Sequence, residues 1–222
     1  MLLLCLDYLG TFAFAISGAL TAARHRLDWF GLVVLAAVTA VGGGTIRDLL
    51  IGQVPPFCLQ DESYLLLALV AAMAVVGLHR HITRRERALL VADAIGLGVF
   101  TVIGAARATE AGLGWVGTVG LACLTGVGGG VIRDLLVREV PLVLRKEVYA
   151  SASIAGALLY RWLVHTSLPT GLTTALCAAA VIAIRLYCMW RTVDLPRLEV
   201  PDDGGTAGSA EDAEDAGPDQ VL

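Results

Sequence analysis

The sequence predicts an all-α membrane protein of seven transmembrane helices, built as a 3+3 inverted repeat with a seventh helix added. Three observations predict it. The 222-residue chain is 57% hydrophobic and only 16% charged, whereas soluble domains run near ~45–50% apolar and ~25% charged. The apolar residues gather in seven runs close to the length a membrane requires. One ten-residue block also occurs twice, and the same offset relates the sequence around it.

A membrane helix needs about 20 mostly apolar residues. Runs at about 2–22, 30–53, 63–79, 88–107, 115–139, 149–166 and 171–190 meet or approach that length. Short polar stretches separate them: Arg24-His25-Arg26, Gln60-Asp61-Glu62, Arg84-Arg85-Glu86-Arg87, Glu110, Arg145-Lys146-Glu147 and Pro169. None is long enough for a separate domain. Residues 1–86 form the first three-helix unit, 87–170 the second, and 171–193 the seventh helix. The first run resembles a signal peptide at Ser17-Gly18-Ala19, but it lacks a basic leading region and has a counterpart later in the chain.

The net charge of −4 hides two opposite regions. Residues 194–222 hold nine acids and one base, Arg197, so residues 1–193 carry a net +4. The tail is Gly, Ala, Asp and Glu, a composition that cannot bury enough apolar area to order itself. It is expected to be disordered in the cytoplasm. Basic residues at the ends of the runs fall twelve on one side and three on the other. The richer side is cytoplasmic by the positive-inside rule, leaving the N-terminus outside and the tail inside.

The repeat is the strongest signal. Val41-Gly42-Gly43-Gly44-Thr45-Ile46-Arg47-Asp48-Leu49-Leu50 returns as Val127-Gly128-Gly129-Gly130-Val131-Ile132-Arg133-Asp134-Leu135-Leu136, an offset of 128 − 42 = 86. The same ungapped offset takes Asp7 to Asp93, Gly10 to Gly96, Phe14 to Phe100, Thr39 to Thr125 and Val54-Pro55 to Val140-Pro141. Three spans per unit reverse the chain, so the second unit must lie upside down. Inverted repeats recur in membrane transport proteins, with the pathway at their interface. A purely structural duplication is the alternative.

Both glycine triplets fall near the middle of their runs. Each Gly costs roughly 1 kcal/mol against Ala inside a helix, so three together are expected to break or kink it. Backbone freed at that depth must be buried in protein or line a wet cavity. Gly42, Gly43, Gly44, Gly128, Gly129 and Gly130 are therefore candidates for the hinge and wall of a path. Close helix packing is the other reading, and it is preferred for Gly10, Gly18, Gly96 and Gly104.

Charges at membrane depth are costly unless paired or wet. Counting from the run centres puts Asp7 level with Arg47, and Asp93 level with Arg133. Each is expected to be a neighbouring pair, directly or through water. Asp48 and Asp134 lie about 100° further round their helices and are not expected to share a direction with the adjacent Arg. The pairs read either as locks between the halves or as charged constrictions flanking a path. Thr39, Thr45, Thr125 and Ser17 could offer hydroxyls to that path or bond their own helix carbonyls.

The four His residues read as interfacial, and Trp29, Trp115 and Trp162 as interface anchors. No Ser-His-Asp order, zinc spacing or redox Cys-x-x-Cys appears, so no catalytic residue, cofactor or metal site is expected. No basic patch with interleaved aromatics suggests nucleic-acid binding.

Seven spans, the 3+3 repeat and Gly-Gly-Gly-x-Ile-Arg-Asp in runs two and five resemble the prokaryotic trimeric intracellular cation (TRIC) channel family, some of whose bacterial members are labelled glycine transporters. The likeness covers residues 1–192. It implies a homotrimer with one pore inside each protomer, and passive flux of monovalent cations, chiefly potassium with some sodium. It also implies pore helices two and five kinked at the triplets, and membrane lipids at the protomer interfaces. A secondary carrier for a small zwitterion such as glycine is the rival function, because adjacent Arg and Asp suit a carboxylate and an ammonium.

Overall fold

The computed structural model describes residues 1–78, 85–145 and 147–191. Its elements are α1 (Leu2–Arg24), α2 (Trp29–Leu50), α3 (Phe57–Gln60), α4 (Ser63–Leu78), α5 (Arg85–Glu110), α6 (Trp115–Leu136), α7 (Leu142–Arg145), α8 (Glu147–Leu163) and α9 (Thr170–Arg191). No strand occurs among the described residues. Among the described residues, the seven helices longer than one turn match the seven apolar runs. The single turns α3 and α7 were not expected.

Among the described residues five helices are long and apolar enough to cross a membrane: α1, α2, α5, α6 and α9. The apolar α4 has 16 residues and α8 has 17. At about 1.5 Å per residue their described parts reach ~24–26 Å, against a hydrocarbon layer of ~30 Å. The acidic tail and the His79–Arg84 connection lie outside the described residues.

Packing follows the solvent. Lipid is as apolar as leucine, so helices associate through small residues that let backbones approach. Ala15, Ala19, Ala36, Ala94, Ala105 and Ala122 are fully buried, while Leu4, Leu9, Leu66, Leu69 and Trp190 face outward. α5 is the most enclosed span, lying against α1, α6, α8 and α9.

Contacts repeat with the sequence. α1 packs on α2 and α4 as α5 packs on α6 and α8, and the halves meet at α1–α5 and α2–α6. Residues that are equivalent by the 86-residue offset touch each other: Phe14 and Phe100 stack with centroids 5.4 Å apart and planes 17° apart. Contact between equivalent residues is what a two-fold axis passing beside them would give.

The ungapped offset needs one correction. It ends in the connections after α2 and α6, where Val54-Pro55-Pro56-Phe57 faces Val140-Pro141-Leu142. With one residue fewer in the second connection, α3 maps to α7 at an offset of 85, and so do Tyr64 and Tyr149.

The helix ends carry a further asymmetry. Left-handed backbone occurs at Arg26 and Gly112, and at Gly52 and Arg138, each pair 86 apart. Two of the four are the expected glycine. The two non-glycines are both Arg, and both follow the C-terminal ends of their helices, α1 and α6.

Candidate functional site

The two triplets meet where α2 crosses α6. A Cβ on Gly43 would overlap the Thr125 carbonyl oxygen, and one on Gly129 would overlap the Thr39 carbonyl oxygen. One on Gly128 would stand 3.1 Å from the Gly43 Cα. Thr39 and Thr125 are themselves equivalent, so the crossing obeys the same two-fold. Glycine is required here because backbone meets backbone.

The expected interruption is absent. α2 is continuous α-helix through Gly42–Gly44, and α6 through Gly128–Gly130. Six glycines cost helical propensity, but the close crossing supplies carbonyl contacts and dispersion that a Cβ would exclude. The triplets also lie past the helix midpoints, which fall at Thr39–Ala40 and Thr125–Gly126. The threonine hydroxyls serve their own helices. Thr39 donates to the Leu35 carbonyl at 2.6 Å, Thr125 to that of Leu121 at 2.6 Å, and Thr45 to that of Val41 at 2.9 Å.

Each triplet leads into a buried charge cluster. In the second half, Arg133 is 1% exposed, bonded through Nη1 and Nε, with Nη2 buried without a partner. Its Nη1 donates to Asp93 Oδ1 at 2.7 Å and to Ser17 Oγ at 2.5 Å, and its Nε donates to Asp134 Oδ1 at 2.8 Å. Asp134 Oδ2 accepts the Leu142 N–H at 2.8 Å, fixing the chain that follows α6. Gly130 keeps room for the group: a Cβ there would stand 3.0 Å from the Tyr149 hydroxyl and 3.4 Å from Asp93 Oδ1.

In the first half, the Arg47 Nε and Nη2 both reach Asp48 Oδ1 at 2.8 Å, and Asp48 Oδ2 accepts the Phe57 N–H at 2.9 Å. The guanidinium also lies 5.4 Å from the centre of the Phe57 ring. Asp7 does not pair with it directly. Asp7 Oδ2 accepts from the Tyr64 hydroxyl at 2.9 Å, and its Oδ1 is buried without a partner.

One expectation is therefore corrected, and another is narrowed. Asp48 and Asp134 do join the adjacent Arg, because the long Arg stem folds sideways across the 100° and the guanidinium is wide enough to fork onto the carboxylate. Of the two pairs expected directly or through water, Asp93–Arg133 bonds directly, whereas Asp7 and Arg47 do not. The reason lies in two replacements. Ser17, which helps to hold Arg133, has Ile103 as its equivalent. Phe57, which draws Arg47 aside, has Leu142 as its equivalent and so no ring.

These features can be set beside known proteins. A family model described as Glycine transporter matches residues 4–80 and 90–165, two stretches that start 86 residues apart. The UPF0126 inner membrane protein YadS of Escherichia coli K12 is 41% identical over 206 residues, which is 92% of this chain and 100% of its own. A crystal structure of the TRIC trimeric intracellular cation channel orthologue from Rhodobacter sphaeroides is 37% identical, covering 86% of this chain and 98% of its own at a TM-score of 0.82. A prokaryotic TRIC channel crystallised in 0.5 M KCl is 32% identical, covering 88% and 99% at a TM-score of 0.83. The chain belongs to the TRIC family.

In this TRIC-family chain the halves are joined unevenly. Where the second half closes, Ser17 of α1 bonds Arg133 of α6. Beyond them the His25 Nε2 lies 3.0 Å from Glu139 Oε1, both side chains half-buried. The equivalent pair at the other end is Ala111 with Gln53, which cannot form an ion pair. At that end Tyr8 bonds Ser63 at 2.9 Å within one half. Asp61 caps α4 by accepting the Ser63 N–H at 2.9 Å, and the Ser63 hydroxyl and N–H hold its carboxyl below the usual carboxylate range.

Sequence reasoning missed Tyr64 and Tyr149, because the one-residue deletion hides their equivalence. It also missed His25–Glu139, whose members are 114 residues apart. Arg185 on α9 was overlooked too, though an Arg inside an apolar run was a signal on its face.

Proposed function

We propose that this protein is a homotrimeric channel for monovalent cations, chiefly potassium with some sodium, in the inner membrane. The path runs between the two halves of each protomer. Agreement with solved TRIC cation channels at TM-scores of 0.80–0.83 over 86–88% of the chain carries this reading. The geometry supports it. Two acid-rich clusters built on Asp7, Asp48 and Arg47, and on Asp93, Asp134 and Arg133, flank a crossing of bare backbone.

Each cluster formally sums to −1, which favours a cation over an anion. At the crossing, the Thr39 and Thr125 carbonyl oxygens face the opposite glycines and point the negative ends of peptide dipoles into the seam. Gly42–Gly44 and Gly128–Gly130 form the tightest point. An ion passes only when α2 and α6 separate there, so the conformation described here is a shut one. On parting, the carbonyls, with the Ser17 hydroxyl at the second cluster, replace part of the ion's hydration.

The wider organisation is part of the proposal. Residues 1–86 and 87–170 are inverted three-helix repeats, α9 in 171–193 is the seventh span, and 194–222 is a cytoplasmic tail. Contacts between the ends of α1 and α6 and between the starts of α1 and α4 suit that threading. Outward leucines give surfaces for the other protomers and for membrane lipids.

The family description as a glycine transporter keeps one competitor. Reconstituted protein in asymmetric potassium chloride separates the two. Discrete current steps reversing near the potassium equilibrium potential support the channel. Saturable glycine counterflow without steps would replace it.

A further inference from the structure

Arg185 takes no part in the two repeat-built clusters, and it is 3% exposed on α9 inside the membrane. Its guanidinium lies 4.5 Å from the centre of the Tyr149 ring, and its Nε is buried without a partner. Among the described residues no carboxylate comes within ion-pair distance of it. A cation at this depth without a directly bonded carboxylate is expensive, and such residues mark a path.

Its position gives it a specific effect. Tyr149 is buried, with the Arg185 guanidinium over its ring and its hydroxyl at Gly130, where Asp93 Oδ1 and Arg133 Nη2 also come close. Each repeat supplies two carboxylates and one Arg, formally −1. α9 follows both repeats, so Arg185 has no equivalent in the first half. It raises the second cluster to zero and leaves the first at −1. Arg107, near the first cluster, does not restore the balance, because it is half-exposed and faces Glu110 at 3.4 Å.

We infer that Arg185 sets the charge difference between the two halves of the path and makes the second half the higher barrier to cations. The inference rests on the channel reading. Tyr149 places the charge: its ring holds the guanidinium at a fixed distance from the cluster while keeping it off the carboxylates. Arg185 is thus a residue that tunes permeation through the field, without touching the ion.

Single-channel recording of the full-length protein in symmetric potassium chloride tests this. Arg185→Gln should raise potassium conductance about threefold, the effect of removing one unit charge across several ångströms of partly wet protein. Potassium-over-chloride selectivity should rise with it. Arg185→Lys should stay near wild type. A structural role in anchoring α9 would lower activity or leave conductance alone, so an unchanged or reduced conductance in a folded Arg185→Gln variant overturns the inference.

Should that variant fail to fold, wild type alone decides. Unequal barriers require unequal single-channel currents at equal and opposite voltages, and a symmetric current–voltage curve would refute the inference. Wild-type protein without current steps would instead overturn the channel reading itself.

Discussion

Equivalent acids in the two halves should respond differently to the same substitution. Asp93→Asn removes a carboxylate held at 2.7 Å by Arg133, with both side chains 1% exposed or less. Removing one partner of a buried pair typically costs ~3–5 kcal/mol. Asp134 and Ser17 still hold Arg133, so the lower end, about 3 kcal/mol, applies. Asp7→Asn breaks no ion pair. Its amide oxygen can still accept from Tyr64, so the cost falls to about 1 kcal/mol, the scale of one neutral hydrogen bond. The difference of ~2 kcal/mol is nearly a thirtyfold change in the folding equilibrium. Unfolding of the two variants in mixed detergent and SDS micelles, followed by helical circular dichroism, measures it directly. Equal losses, or a larger loss for Asp7→Asn, would show that the asymmetry of the clusters carries no energy.

Other outcomes follow from the same geometry. Gly129→Ala drives a Cβ into the Thr39 carbonyl and should destabilise by about 1–3 kcal/mol. Gly120→Ala meets nothing within 4 Å and should gain up to about 1 kcal/mol of helix propensity; thermal melts of both variants check the contrast. A double-mutant cycle on His25→Ala and Glu139→Ala should give a coupling near ~0.5–1 kcal/mol, the scale for a partly exposed pair, and zero coupling would remove the link between the halves. Asp61→Cys should react with a membrane-impermeant maleimide from outside the cell and Arg26→Cys only from inside; the reverse pattern would invert the proposed orientation.

Much of the fold was legible because membrane helices announce themselves. Apolar length marked all seven longer helices among the described residues, and the 86-residue offset paired residues that the structure then brings into contact, Phe14 with Phe100 and Gly43 with Gly129. The Asp93–Arg133 pair was legible from depth alone. What failed did so for local reasons. Helix propensity argued for a break at the triplets, but propensity says nothing of the opposing backbone at Thr39 and Thr125 that close packing brings in. Angular position kept Asp48 and Asp134 away from their neighbours, yet it fixes Cβ and not a guanidinium several bonds further out. Asp7 and Arg47 lack the direct bond of their counterparts because a symmetric argument could not weigh Ile103 against Ser17 or Leu142 against Phe57. The single-turn helices α3 and α7 are too short to carry any periodicity.

The measurement that bears most directly on the central proposal is the reversal potential of purified protein in planar bilayers under a potassium chloride gradient. The account predicts discrete steps whose current reverses close to the potassium equilibrium potential. Reversal near the chloride potential, or a bilayer that stays silent with protein inserted, would contradict it.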